Sequence, residues 1–222
     1  MLLSKTILAL DKVLPIKTLK GIRDYIPKVK FSYITLLDGG LEYLKEVYKL
    51  GWEEVIFDLK LADIDSTMVG IVSRLTSFSD SFISHSFIGF EGALDDLSSY
   101  LLKEGKGLYL VLSMSHKGWN DSFYPYLKDV AKRVNPKGFV VGATKPEMIK
   151  VVRNDFPEKI IISPGVGVQG ALFGDALCNG ADYEIVGRSI YSSTDPVKTA
   201  RELVAKQEVR INECKEVSEN RK

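Results

Sequence analysis

Cysteine, histidine and tryptophan are all scarce in this chain, with two of each in 222 residues. Cys178 and Cys214 lie far apart in sequence, only His85 and His116 could join them, and no zinc-ligand spacing can be drawn from the four. A chain this long removes roughly 70% of its unfolded surface from water, so neither a disulfide nor a structural metal is required for stability. Cys178 is therefore expected to be a small apolar residue on a helix, and Cys214 one residue of a charged tail, neither with a redox or catalytic role. An excess of one charge is also missing. Thirty Lys and Arg against 29 Asp and Glu leave +1, which argues against a general nucleic-acid surface but allows a local anion site. No apolar run approaches the ~20 residues of a membrane span. The opening MLLSKTILAL is broken at once by Asp11 and Lys12, so it reads as neither signal peptide nor span, and the cytoplasm is the expected compartment. Nor is there a linker, a low-complexity run or a composition shift before the C-terminal stretch. One domain over 1–205 is expected, followed by a charged segment, 206–222, that belongs to the last helix or follows it, exposed and fraying into disorder.

What is present is a regular alternation. Short β-branched or apolar runs at 5–10, 29–34, 53–60, 81–86, 107–113, 137–143, 159–163 and 183–187 are separated by segments of helical period. Several runs are continuously apolar, as strands buried on both faces of a parallel sheet must be. Residues 42–49 carry Tyr43, Leu44, Val47 and Tyr48 at helical spacing before Gly51, and 125–134 form a similar segment ended by Pro136 and Gly138. Eight such units fit a single compact (β/α)₈ TIM barrel. An open doubly wound sheet is the competitor, but it wants a glycine-rich turn after its first strand, and DKVLPIK contains no glycine.

A barrel directs attention to strand ends, where chemistry sits. Strand one ends in Asp11, strand two carries Lys30, and strand three runs into Asp58, Lys60 and Asp63. Asp58 and Lys60 are two apart and so share a strand face. Four alternating charges could converge there, either as an ion-pair plug or as a catalytic array. With carboxylates on both sides, Lys60 would be held as an ammonium, a proton donor rather than a Schiff-base nucleophile. No metal is demanded, since the lysine competes for the same negative charge.

A second constellation follows strands seven and eight. ISPGVGVQG (162–170) and VGRS (186–189) offer glycines 165, 167, 170 and 187 for close backbone approach, Gln169 as an amide donor and Arg188 as a bidentate partner for phosphate. His85 and His116 are expected to order βα loops. Ser115 beside His116 does not make a nucleophile and base, because adjacent residues rarely reach that geometry.

These segments together resemble the orotidine 5′-monophosphate decarboxylase family. DLKLADIDST (58–67) is similar to its DxKxxDIxxT signature, HSFIG (85–89) to HGxxG, MSHKG (114–118) to MSHxG, ISPGVGVQG to the phosphate loop and VGRSIY (186–191) to the last strand and arginine, in the family's order over about 180 residues. The resemblance implies a cofactor-free, metal-free decarboxylase acting on orotidine 5′-monophosphate. It implies that Asp11 holds the ribose hydroxyls and Lys30 bridges ribose and charge network. Asp58 would face the substrate carboxylate and Lys60 would protonate C6. Asp63, Ile64 and Thr67 would reach the partner's site in a homodimer. Ser115 would bind the pyrimidine with Pro164 beside it, and Gln169, Gly187 and Arg188 would hold the phosphate.

Departures from the pattern are Phe31 and Ser32 after Lys30, which is placed by its 28-residue distance from Asp58 and by Gly40 downstream, Ser86 within HSFIG, and Lys117 after MSH. Two rival readings are a metal-dependent sugar-phosphate decarboxylase or aldolase on the same barrel and a non-catalytic nucleotide-binding protein. Neither a nucleic-acid partner nor a membrane is expected.

Overall fold

The computed structural model describes residues 4–167 and 169–219. Eight strands, β1 Thr6–Leu10, β2 Lys28–Ser32, β3 Glu54–Leu61, β4 Ser81–His85, β5 Gly107–Ser113, β6 Gly138–Val141, β7 Ile160–Pro164 and β8 Tyr183–Val186, pair in parallel and in sequence order. The last closes on the first, giving a closed (β/α)₈ barrel in one domain.

Period-two alternation sorts each strand's side chains between two cores. Ile7, Ala9, Ile56, Ile83, Tyr109, Val111, Val140, Ile162 and Ile185 point inward and fill the barrel. Their neighbours Leu8, Leu10, Val29, Phe31, Val55 and Phe57 point outward to the helices. The outer layer contains α1 Ile16–Arg23, α2 Tyr33–Tyr48, α3 Asp65–Val72, α4 Asp95–Lys103, α5 Tyr124–Val134, α6 Pro146–Asp155, α7 Asp175–Cys178, α8 Arg188–Tyr191 and α9 Pro196–Glu219. In α5, Pro125 enters the first turn, Tyr124, Leu127, Ala131 and Val134 form the buried stripe, and Asn135 ends the helix in a left-handed conformation.

Three expectations change. The apolar run at 29–34 leaves the sheet at Ser32, and Tyr33 and Ile34 open α2. That helix extends nine residues ahead of the expected start at 42 and is broken at Gly40, whose φ of 67° interrupts the helical backbone. The two cysteines, expected to be unrelated, form a disulfide: Cys178 on α7 and Cys214 on α9 have Cα atoms 5.8 Å apart. Thirty-six residues separate them in sequence, so only the packing of α9 on α7 brings them together. α9 runs unbroken across residue 205, and within the expected tail Gln207 is buried, continuing the stripe begun by Ala200 and Leu203. The fraying expected from 206 onward is not seen through Glu219, where α9 is still helical, and residues 220–222 lie outside the described residues.

Candidate active site

Several inward positions of β2 and β3 are charged rather than apolar, and they cluster at the two ends of the barrel, with Ile56 between them. At the C-terminal mouth, the Lys30 ammonium lies 2.9 Å from Asp58 Oδ2. Lys60 Nζ donates to both Asp58 oxygens, at 2.7 and 2.8 Å. Burial alone would push the Asp58 carboxyl up, but the Lys30 and Lys60 charges outweigh it and hold it at about 2.

Lys60 gets there by an unusual backbone. Its φ is +42°, a left-handed conformation that costs a residue with a side chain of order 1 kcal/mol or more, and the β3–β4 register shifts between Asp58 and Leu61. The irregularity leaves the ammonium directly over the carboxylate two residues earlier.

These groups line one wall of a cavity of about 490 Å³. The floor is Ala9, Val111, Val140 and Ile185, the top layer of the barrel core. Asp11, Lys30, Asp58, Lys60, Ser115, Pro164, Gln169, Gly187 and Arg188 all line it, as the sequence led one to expect. Ser115 donates a 2.6 Å hydrogen bond to Gln169 Oε1, tying the loop after β5 to the loop after β7. Gly165 makes this possible. Its φ is +105°, and a Cβ there would stand 2.9 Å from the Ser115 Cβ.

Asp63, Ile64 and Thr67 do not line this cavity. All three are exposed, Asp63 and Ile64 on the turn into α3 and Thr67 in its first turn, and Asp63 accepts the Ile64 N–H at 2.7 Å. Within one chain Lys60 pairs with Asp58, and Asp63 is exposed.

Sequence reading missed Tyr33, Ile34, Met114, Val166 and Ser189 as lining residues. The first two were hidden by the apparent continuation of strand two. Burial and the Asp58 charge both push the Tyr33 phenol up. His85 sits against Phe87, 4.8 Å between ring centroids, and stacks at 6.5 Å on Trp119. Burial, then the Lys60 charge, lower its imidazole pKa, with Asp58 opposing. Two of the departures have structural uses: Ser86 donates to the Val111 carbonyl at 2.6 Å, and Ser32 lines the cavity. Lys117 is exposed. Among the described residues, no group of three His, Cys, Asp or Glu side chains is placed to hold a metal ion.

A profile of the orotidine 5′-phosphate decarboxylase / HUMPS family matches residues 4–203, nearly the whole barrel. The chain belongs to that family. Within the family, the chain is 65% identical over 209 residues to an orotidine 5′-phosphate decarboxylase of Sulfurisphaera tokodaii, covering 94% of this chain and 98% of that one. It is also similar to two crystallised members of the orotidine 5′-monophosphate decarboxylase branch. That of Sulfolobus solfataricus has a TM-score of 0.91 at 45% identity, covering 94% of this chain and 99% of that one. That of Methanocaldococcus jannaschii, complexed with the inhibitor BMP, has a TM-score of 0.83 at 33% identity, covering 92% and 98%. The family name spans two activities, but these relatives carry only the decarboxylase name. Among the described residues, no helix is long and apolar enough to cross a membrane.

Proposed function

We propose that the chain decarboxylates orotidine 5′-monophosphate to UMP, the last step of pyrimidine nucleotide synthesis, without a cofactor. The observation that carries this is one cavity with the Lys30–Asp58–Lys60 array on its wall and the glycine-rich loop, Gly187 and Arg188 at its other side. The C6–carboxylate bond breaks, its electron pair stays on C6, CO₂ leaves, and Lys60 delivers the proton that completes UMP. The C6 carbanion has no carbonyl or cofactor to spread its charge, so a fixed ammonium is the stabiliser the reaction needs. Asp58, held ionised beside it, faces the departing carboxylate and orients Lys60.

Asp11 and Lys30 take the ribose hydroxyls. Ser115 takes the pyrimidine with Pro164 beside it, and Gln169, Gly187 and Arg188 take the phosphate. Phosphate binding remote from C6 helps align the ring for the chemistry. Lys30 and Lys60 already surround the Asp58 oxygens, which leaves that carboxylate a poor cation ligand.

A homodimer is part of this reading, with Asp63, Ile64 and Thr67 completing the partner's site. Its support is a run of exposed apolar side chains beside the mouth, Tyr33, Ile34, Leu37 and Leu41 on α2 with Ile64 before α3. The cytoplasm is the compartment proposed with it, as the substrate is a nucleotide of central metabolism. Incubation with orotidine 5′-monophosphate in EDTA, followed by CO₂ release, tests the proposal. Turnover with UMP as product is expected; no turnover, or turnover only on adding Mg²⁺, overturns it.

A further inference from the structure

The loop after β7 is secured at its start by the barrel, since Pro164 is the last residue of β7. Its far end, Gly174, is held from outside the cavity by residues that no part of the proposed chemistry uses. Glu184 on β8 lies between the inward Tyr183 and Ile185 and so points outward, where it is fully buried. Its two oxygens accept the Gly174 N–H, both at 2.9 Å. Oε1 also accepts the Ala176 N–H at 3.2 Å, and Oε2 accepts Gln207 Nε2 at 2.8 Å.

Gln207 comes from α9 and accepts in turn the Thr6 hydroxyl of β1 at 3.2 Å. Two more ties join the same elements: Asp175 to Arg210 at 2.9 Å, and the Cys178–Cys214 disulfide. Gly174 itself has φ +90°, and a Cβ there would stand 2.6 Å from the Arg210 Cγ, so the loop end lies on α9 too closely for a side chain.

A carboxylate buried this deeply with neutral amides as its hydrogen-bond partners is costly, and burial pushes its pKa up despite those hydrogen bonds. An apolar residue would fill the space at less cost but could not hold three N–H donors in one arrangement. The donors come from the end of the phosphate loop, from the first turn of α7 and from α9. That combination suits a role in orientation better than one in stability alone.

We propose that Glu184 is a positioning residue which, with Gln207 and the Cys178–Cys214 link, clamps the far end of the phosphate loop to α9 and so presets its grip on phosphate. This rests on the reading of the loop as the phosphate holder. Binding of UMP and of uridine, which lacks the phosphate, separates the two ideas when titrated into the wild-type chain and its variants.

For Glu184→Ala, UMP affinity is expected to fall about tenfold with a matching rise in KM for orotidine 5′-monophosphate, while uridine affinity changes less than about twofold. Glu184→Gln keeps an acceptor oxygen toward Gly174 and Ala176 and is expected to recover most of the loss. If Glu184→Ala does not fold, Gln207→Ala and Cys178→Ser each remove one tie, and each is expected to lower UMP affinity about threefold with uridine unmoved. UMP and uridine affinities that fall together, or that both stay constant while Tm drops, would overturn the clamp. A wild-type chain that does not prefer UMP to uridine would overturn the phosphate reading and the clamp with it.

Discussion

The two ends of the barrel carry nearly the same chemistry in different settings. At the closed N-terminal end, Glu54 is paired with Lys28 at 2.9 Å and Lys137 at 2.6 Å, and accepts hydrogen bonds from Ser81 at 2.7 Å and Tyr109 at 3.1 Å. At the open end, Asp58 is paired with Lys30 and Lys60. Burial raises both carboxyls and two lysines bring each down to about 2. The two acids are four positions apart on β3, about 13 Å of strand.

At the closed end, protein donors surround the carboxylate and the lysines have carboxylate or aromatic company. At the open end the same acid–lysine arrangement faces a cavity, and its second lysine is placed by a left-handed residue. An acid held by two lysines is therefore not in itself a catalytic signature. What separates plug from site is the free volume beside it and the backbone distortion that aims one ammonium into that volume.

That contrast can be broken at either end. Lys60→Ala should produce the largest effect, lowering decarboxylation by about 10⁴-fold or more because the proposed proton donor and carbanion stabiliser are lost together. Asp58 keeps Lys30, so Tm should move by no more than about 4 °C in a thermal melt. If the proposed homodimer shares its sites, a mixture of inactive Lys60→Ala and Asp63→Ala chains should regain about a quarter of wild-type activity, since half of randomly formed dimers would carry one intact shared site. Failure to regain any would remove Asp63 from the partner's site.

At the closed end, Glu54→Ala should cost about 3–5 kcal/mol of stability in urea unfolding, because it leaves Lys28 and Lys137 without their carboxylate, with kcat unchanged within about twofold. The smallest effect is shared by both ends. Asp58 and Glu54 are more acidic in the folded chain than their ordinary values of 3.8 and 4.5, so acid favours unfolding. Their contribution to stability should be complete above about pH 5 and decline as pH falls toward about 2. Glu54→Ala should make that decline shallower.

Much of the fold was legible because buried parallel strands must read as apolar runs and must recur with helices between them. The run 107–113 coincides with β5 from end to end. The run 29–34 did not, because Tyr33 and Ile34 are as apolar as a strand residue and only the chain's turn into α2 decides their state. The cavity residues were legible where their types are costly at strand ends, as with Lys30, Asp58 and Arg188. Met114 and Val166 carried no such signal, since an apolar side chain in a loop suits many positions equally well.

The amino-acid order by itself determined the eight-unit barrel, the acid and lysine residues on inward-facing positions and the glycines around Arg188, because periodicity and residue type are local properties. Tertiary structure decided that Glu54 plugs the barrel while Asp58 serves a cavity, that Asp63 leaves its own chain's site, and that Cys178 meets Cys214. Each of those depends on which side chains occupy the same few ångströms after folding, and residues 28, 54 and 137, or 178 and 214, become neighbours only when the sheet closes and α9 lies across α7.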